Sequence, residues 1–389
     1  MFARRTVVSE RPNPLHQLIA ERRKRGASHV DLTVSNPTAV GLGIAWSDLR
    51  TALDQPAAAT YVPAAFGLAE ARRAAAAWMG PDVEPDRVVL SASTSEAYTW
   101  IFKILCNPGE AVAVPRPCYP LVEWLARLEA VEVVPYDLYF AAGRWNIDLD
   151  SLARAAPGVR AVVVIAPGNP TGALLRRSEL GLVETLCADR GLALLVDEVF
   201  AESAGVFGPL ESEVVTAAHG PRACLTFVLR GLSKTCLLPQ CKLAWTTVCG
   251  PDQQVEQALM RLELVADTFL SVASPVQHAL QPLLASAPGL QEQLAARLRD
   301  NRAALVAACA GSAVDVLAAE GGWSAILRHP LAPDREVAES LLTERGILVH
   351  PGWFYDLEGP YVVTSLLPRP EVFAHSARDL VAGLVEGGA

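Results

Sequence analysis

Gly231-Leu232-Ser233-Lys234-Thr235-Cys236-Leu237-Leu238-Pro239-Gln240-Cys241-Lys242-Leu243-Ala244-Trp245 sets one cation among small and apolar neighbours and a second cation eight residues later. Apolar runs at 226–229 and 244–248 flank the segment. A lysine in such surroundings loses solvation of its ammonium form, so its pKa falls and the free amine can attack a carbonyl to form a Schiff base. By itself the segment reads equally as a solvated loop, because lysine is rarely buried.

Outward from this segment, apolar runs alternate with helical stretches between 87 and 250. The runs lie at 88–90, 111–114, 131–134, 161–165, 192–196, 226–229 and 244–248, with helical patterns at 96–105, 121–128 and 178–190 among them. A half-exposed strand would alternate, whereas these runs are continuously apolar and need cover on both faces. The expected architecture is therefore α/β, with a mostly parallel seven-stranded sheet whose ligands bind at the carboxyl ends of the strands. After 250 the pattern changes to long helices at 252–267 and 288–309, then to a smaller α+β region with strands at 324–327, 347–349 and 361–366. The expected division is a large domain at 41–284 and a small domain at 285–389, joined by the segment 1–40.

Several strand ends carry polar groups. Asp197 closes the run 192–196, where a buried carboxylate needs a cationic or hydrogen-bonding partner; it reads equally as a cap for the next helix. Ala166-Pro167-Gly168-Asn169-Pro170-Thr171-Gly172 is turn chemistry, yet it leaves the Asn169 amide free to donate. In Ser91-Ala92-Ser93-Thr94-Ser95-Glu96-Ala97, hydroxyls meet a helix N-terminus, which suits an anion; Ser93 and Glu96 also have capping-box spacing. Pro115-Arg116-Pro117-Cys118-Tyr119-Pro120 holds an aromatic ring between prolines, as a stacking platform or as turn packing.

The chain has 389 residues, 51% of them hydrophobic and 19% charged, and a net charge of -9. These values describe a globular protein with a large interior and argue against a general nucleic-acid binder. Arg4-Arg5 and Arg22-Arg23-Lys24-Arg25 are interrupted by Glu10 and Glu21 and are followed by no apolar stretch of membrane length, which reads as a solvated helix in a cytoplasmic protein. The eight cysteines form no CxxC pair and no Cys/His cluster with zinc spacing, so buried reduced thiols are expected and no metal. Cys118, Cys236 and Cys241 fall near the polar strand ends, but no histidine is placed in sequence to activate them.

Together these motifs resemble the fold type I pyridoxal-phosphate enzymes and, within them, the class I/II aminotransferases, nearest to the alanine and tyrosine aminotransferase branch. The resemblance spans nearly the whole chain, from Asp31-Leu32-Thr33-Val34-Ser35-Asn36-Pro37 through Tyr61-Val62-Pro63 and Gly67 to Gly346-Ile347-Leu348-Val349-His350-Pro351-Gly352-Trp353-Phe354. It implies transfer of an amino group from an amino acid to a 2-keto acid by a ping-pong route through a Lys234 aldimine of pyridoxal 5′-phosphate. It further implies Asp197 at the ring nitrogen, Asn169 at the ring oxygen, Tyr119 stacked on the ring, and Ser93, Thr94, Ser95, Ser233 and Lys242 at the phosphate. Tyr61 resembles a tyrosine that reaches the neighbouring subunit's phosphate, which implies a homodimer with shared sites.

Three positions depart from the pattern. Phe200 stands where a tyrosine would donate to the ring oxygen, and Lys242 where an arginine would offer a bidentate fork. Val363 stands where an arginine would hold the substrate carboxylate, so Arg369, Arg116 and Asn36 become the substrate-binding candidates. Arg369 in Pro368-Arg369-Pro370 reads equally as a solvated turn residue. The loss at Val363 keeps a second reading open, a pyridoxal-phosphate lyase or oxygen-using deaminase, since the same lysine serves any carbanion at the α-carbon. A sensor domain of a DNA-binding regulator is disfavoured, because about thirty residues precede Asp31. Trp323, Trp353, Phe354 and Tyr355 suggest an aromatic wall or core, with His350 packed beside the Pro351-Gly352 turn.

Overall fold

Strands that are apolar at consecutive positions need cover on two faces, and the computed structural model, which describes residues 1–7, 14–330 and 334–386, supplies it for six of the seven runs, the run 131–134 with its exposed Glu132 being only partly covered. In chain order the strands are β1 (Val30–Asp31), β2 (Val88–Ser91), β3 (Ala111–Arg116), β4 (Glu132–Ala141), β5 (Arg144–Ile147), β6 (Val159–Ile165), β7 (Ala193–Asp197), β8 (Thr226–Gly231), β9 (Ala244–Cys249), β10 (Asp315–Val316), β11 (Ser324–Arg328), β12 (Ile347–Leu348), β13 (His350–Pro351) and β14 (Tyr361–Ser365). The large sheet has the order β2-β9-β8-β7-β6-β3-β4-β5. Its centre, from β8 through β7, β6 and β3 to β4, is parallel, while β9 runs antiparallel to β8 and β2.

The seven apolar runs all lie in this sheet, and β5 adds an eighth strand at its edge. β5 pairs antiparallel with β4 across a turn in which Ala142 and Gly143 take positive φ. Its burial is partial, as an edge strand allows, and only Trp145 is buried.

Alternate residues of the central strands enter different core layers. Leu194 and Val196 of β7 pack in the layer that also holds Ala71, Ala75 and Leu283, whereas Ala193 and Leu195 join Tyr98, Ile101 and Leu262. The helices Ala69–Met79 and Leu280–Cys309 thus cover one face, and Thr94–Leu105, Leu121–Leu128 and Asp252–Phe269 the other. At ~25 cal/mol per Å² of apolar surface removed from water, each fully buried Leu or Val contributes about 1.5–3 kcal/mol.

A four-stranded sheet, β10-β11-β14-β13, follows the long helix Leu280–Cys309, which runs across the 284/285 division expected from sequence. β1 pairs in parallel with β12, and the Ser365 amide donates to the Leu32 carbonyl at 2.6 Å. Residues 33–35 are thereby held against the C-terminal strands. The Arg-rich start forms a short turn at Arg4–Thr6 and a helix at Pro14–Lys24 in which only Leu15 is buried. Glu10 lies outside the described residues. No helix among the described residues is long and apolar enough to cross a membrane.

Candidate active site

The carboxyl ends of β2, β6, β7 and β8 open into a cavity of ≈ 250 Å³. Of the residues singled out from sequence, Thr94, Ser95, Tyr119, Asn169, Asp197, Phe200, Ser233, Lys234 and Val363 line it.

Lys234 sits in the short helix Leu232–Thr235 that follows β8. The Gln291 amide donates to the carbonyls of Lys234 and Thr235 at 2.8 and 2.7 Å, so the long helix holds the backbone beneath the lysine. Its Nζ donates to the Ser35 carbonyl at 3.4 Å and lies 4.5 Å from the Trp323 ring centroid and 5.5 Å from that of Phe200. No carboxylate pairs with it among the described residues. Burial in this aromatic setting brings its pKa down to about 8.

Asp197 ends β7 and is 8% exposed. Its Oδ1 accepts the Val199 amide at 2.9 Å and its Oδ2 accepts the Tyr98 hydroxyl at 3.0 Å. Desolvation nonetheless pushes its pKa up to about 6, opposed by these two donors and reinforced by the neighbouring charge of Glu198. No basic side chain among the described residues pairs with it. Glu198 points elsewhere: Arg230 binds its Oε2 through Nε at 3.1 Å and Nη2 at 2.7 Å, and the Ala217 amide binds its Oε1 at 2.8 Å.

Tyr98 is a site residue that the sequence motifs do not reveal. It lies one helical turn after Thr94, and only the burial of that helix face brings its hydroxyl to Asp197. Thr94 and Ser95 begin the helix Thr94–Leu105, so their hydroxyls and the helix's free N–H groups meet at the cavity.

The other candidates lie off the cavity wall. The Ser93 hydroxyl caps this helix by accepting the Glu96 amide at 3.1 Å. Tyr61 is 67% exposed and lines a separate small cavity with Leu90, Trp100 and Gln277. Lys242 is exposed, with φ of 50°. The Asn36 side chain accepts the Thr38 amide and hydroxyl at 3.1 and 2.8 Å. Arg369 is exposed beside Gly41. Arg116 binds Asp137, its register partner on β4, through Nε at 3.0 Å and Nη2 at 2.7 Å.

His350 does line the cavity, stacked on Phe354 at 4.5 Å with Nδ1 2.9 Å from the Tyr355 hydroxyl, and burial brings its pKa down to about 4. The Cys118 and Cys236 thiols are buried and shifted upward, Cys118 to about 12, and neither they nor Cys241 line the cavity. That makes them poor nucleophiles.

Residues 34–361 match the family model for aminotransferase class I and II. The chain belongs to that family. Nicotianamine aminotransferase 1 of Oryza sativa is 30% identical over 236 residues, which cover 57% of this chain and 45% of that protein. The S-alkyl-thiohydroximate lyase of Arabidopsis thaliana is 28% identical over 235 residues, 59% of this chain and 50% of that protein. The matched stretch thus spans about half the length of these relatives. In architecture the chain is similar to alanine aminotransferase from Pyrococcus furiosus, with a TM-score of 0.88, 20% identity and coverage of 99% and 100% of the two chains, which shows the fold type I architecture.

The cofactor of class I and II aminotransferases is pyridoxal 5′-phosphate, and the cavity fits it. A buried acid without a basic partner suits a protonated ring nitrogen, and an amine without a carboxylate partner suits an aldehyde. The hydroxyls of Thr94, Ser95 and Ser233, with the N-terminus of the helix Thr94–Leu105, suit a phosphate.

Proposed function

We propose that this protein moves an amino group from an amino acid donor to a 2-keto acid by a ping-pong route, with Lys234 as the proton-carrying base. The placement of Lys234 and Asp197 on one cavity wall, each buried and each without an opposite charge, supports this most strongly. Pyridoxal phosphate, when bound, supplies an aldehyde that condenses with amines and a protonated ring that draws electrons from the substrate's α-carbon.

The chain's own residues would do the rest. Asp197, oriented by Tyr98 and the Val199 amide, would accept the ring N–H and keep the ring charged. Asn169 would donate to the ring oxygen and Tyr119 would stack on the ring, while Thr94, Ser95 and Ser233 would hold the phosphate, with Ser93 setting the helix end and Lys242 adding charge from outside. Lys234 would hold the aldehyde carbon at rest. Once displaced by the donor, its Nζ would carry the proton from the donor's α-carbon to the cofactor's aldehyde carbon, and in the second half would carry a proton the opposite way to the acceptor's α-carbon, a task suited to an amine with a pKa of about 8. Phe200 and Trp323 would exclude water from that transfer.

The exposure of Tyr61 supports a homodimer in which it reaches a second subunit's phosphate. Eight unpaired cysteines support a reducing, cytoplasmic setting.

The second reading, a lyase or oxygen-using deaminase on the same cofactor, has two supports. One is the similarity to the Arabidopsis lyase, and the other is the valine at position 363 on the cavity wall. Product stoichiometry separates the two. The loaded protein is incubated with amino acids and no acceptor. A transferase releases at most one equivalent of keto acid per site and resumes when a 2-keto acid is added. Continuous release of product and ammonia without acceptor establishes the second reading.

A further inference from the structure

A carboxylate moved out of water keeps its charge where several donors converge on it, and hydroxyl groups already held in place can supply them. The C-terminal strands bring such a pair to the active-site cavity. Ser324 opens β11 and Ser365 closes β14; they are register partners, and both line the cavity. Just beyond them the Leu366 amide donates to the Trp323 carbonyl at 2.8 Å, while the Ser365 amide turns away to the Leu32 carbonyl. Ser324 and Ser365 thus form the kind of antiparallel pair that exchanges no backbone bonds, in which side chains stand closest, with Cβ atoms about 4.5–5.5 Å apart.

Both hydroxyls keep a proton to give. The Oγ of Ser365 accepts the Leu367 amide at 3.1 Å, which leaves its O–H to donate, and the Ser324 hydroxyl has no partner among the described residues. Other polar groups on the wall have work elsewhere. The Thr33 hydroxyl donates to Asp31 Oδ1 at 2.6 Å, and in the proposed reaction Thr94, Ser95 and Ser233 serve the phosphate and Asn169 the ring oxygen.

The position of the pair selects the part of a substrate that it meets. Ser324 follows Trp323, whose ring lies 4.5 Å from the Nζ of Lys234. Ser365 is tied to Leu32, three residues before the Ser35 carbonyl that receives the same Nζ at 3.4 Å. The reacting nitrogen of an amino acid is handled at Lys234, and the charged group nearest to that nitrogen is the α-carboxylate. Val363, two residues before Ser365 and on the same face of β14, flanks the pair with an apolar surface, where a hydrogen bond to a charge gains strength.

We propose that Ser324 and Ser365 hold the substrate's α-carboxylate by donating one hydrogen bond each, and so determine the specificity for amino acids and 2-keto acids. This rests on the aminotransferase reading, and it adds to the groups that a second subunit brings to the chamber. In a ping-pong exchange donor and acceptor enter in turn, each with a carboxylate beside its reacting carbon, so one pair serves both.

The test has a binding arm and a reaction arm, both on protein loaded with pyridoxal phosphate. 2-Methylalanine and tert-butylamine share an amine on a fully substituted carbon, so neither can give up a proton there; the first alone has a carboxylate. Titration of the cofactor's absorbance measures their affinities for wild type, Ser324→Ala, Ser365→Ala and the double variant. Each single change is expected to weaken 2-methylalanine roughly 10-fold and the double change roughly 100-fold, with less than about 3-fold on tert-butylamine. Equal losses on the two ligands, no loss on 2-methylalanine, or no binding of it to wild type up to roughly 100 mM overturns the proposal. In the reaction arm, the amino acid that wild type converts best among alanine, leucine, phenylalanine and glutamate is expected to have its KM raised roughly 10-fold in each single variant, with kcat within about 3-fold. A fall in kcat at unchanged KM overturns the proposal and leaves the aminotransferase reading intact. Ammonia released in place of transfer overturns the aminotransferase reading, and the binding arm still decides the role of the two serines.

Discussion

The Nζ of Lys234 lies 4.5 Å from the ring centroid of Trp323, and Phe200 meets Trp323 edge-on at 5.2 Å. The two rings act on the lysine in opposite senses. Their π faces attract an ammonium, while their bulk strips it of water, and this burial brings its pKa down to about 8.

Replacing Trp323 by Leu keeps the site apolar and removes the main π face. The attraction is about 0.5–2 kcal/mol, so the pKa of Lys234 is expected to fall further, by up to roughly 1.5 units. The pH dependence of trinitrophenylation of Lys234 in cofactor-free protein measures this. A rise would mean that the ring acts on the lysine only through burial.

Asp197 gives a pH signature in stability. Its folded-state pKa of about 6 exceeds the ordinary value of 3.8. The folded chain therefore holds this proton more tightly than the unfolded chain. The resulting stability is full below pH 3.8 and lost as pH rises through about 6. In cofactor-free protein, Asp197→Asn is thus expected to be more stable than wild type at pH 8, by about 3 kcal/mol at most, and equal to it near pH 4. Thermal unfolding at the two pH values checks the sign. In the loaded enzyme the order reverses, with kcat/KM lower by roughly 100-fold or more, because the ring nitrogen loses its counter-charge.

Tyr98→Phe removes the donor to Oδ2 of Asp197 and leaves that oxygen buried without it. The expected results are a further rise of the Asp197 pKa above about 6 and a loss of roughly 1–3 kcal/mol of stability at pH 8. Infrared titration of the carboxyl band in cofactor-free protein, compared between variant and wild type, reads the first directly.

Phe200→Tyr would restore a hydroxyl to a ring on the cavity wall. A donor to the cofactor's ring oxygen favours the unprotonated chromophore. The midpoint of the absorbance titration of the loaded variant is therefore expected below that of wild type. An unchanged midpoint would show that the hydroxyl does not reach the oxygen.

How much of this was legible in sequence depended on the range of the interaction. The central strands were, because a strand covered on both faces is continuously apolar, as in Leu192-Ala193-Leu194-Leu195-Val196. β5 was not, since Arg144-Trp145-Asn146-Ile147 is an edge strand held by a hairpin and has no such run. Lys234, Asp197, Asn169 and Thr94 were legible because each follows a strand closely. The contacts that orient them were not: Tyr98 reaches Asp197 across 99 positions, and Gln291 reaches Lys234 across 57. The sequence also shows a charge without showing where it is spent. Arg116 is a cation near the site in the chain, and it is the parallel register of β3 with β4 that ties it to Asp137.

The pairing of β1 with β12 bears on how the protein is made. Residues 33–35 line the cavity, and the Ser35 carbonyl receives Lys234, yet the strand that fixes this segment begins at Ile347. On the ribosome the large sheet can close first, while β1 waits without a partner and the lysine without its roof. Completion of the cavity wall is thus a late event in synthesis, and a nascent chain halted before Gly346 would have Lys234 in place and no finished chamber around it.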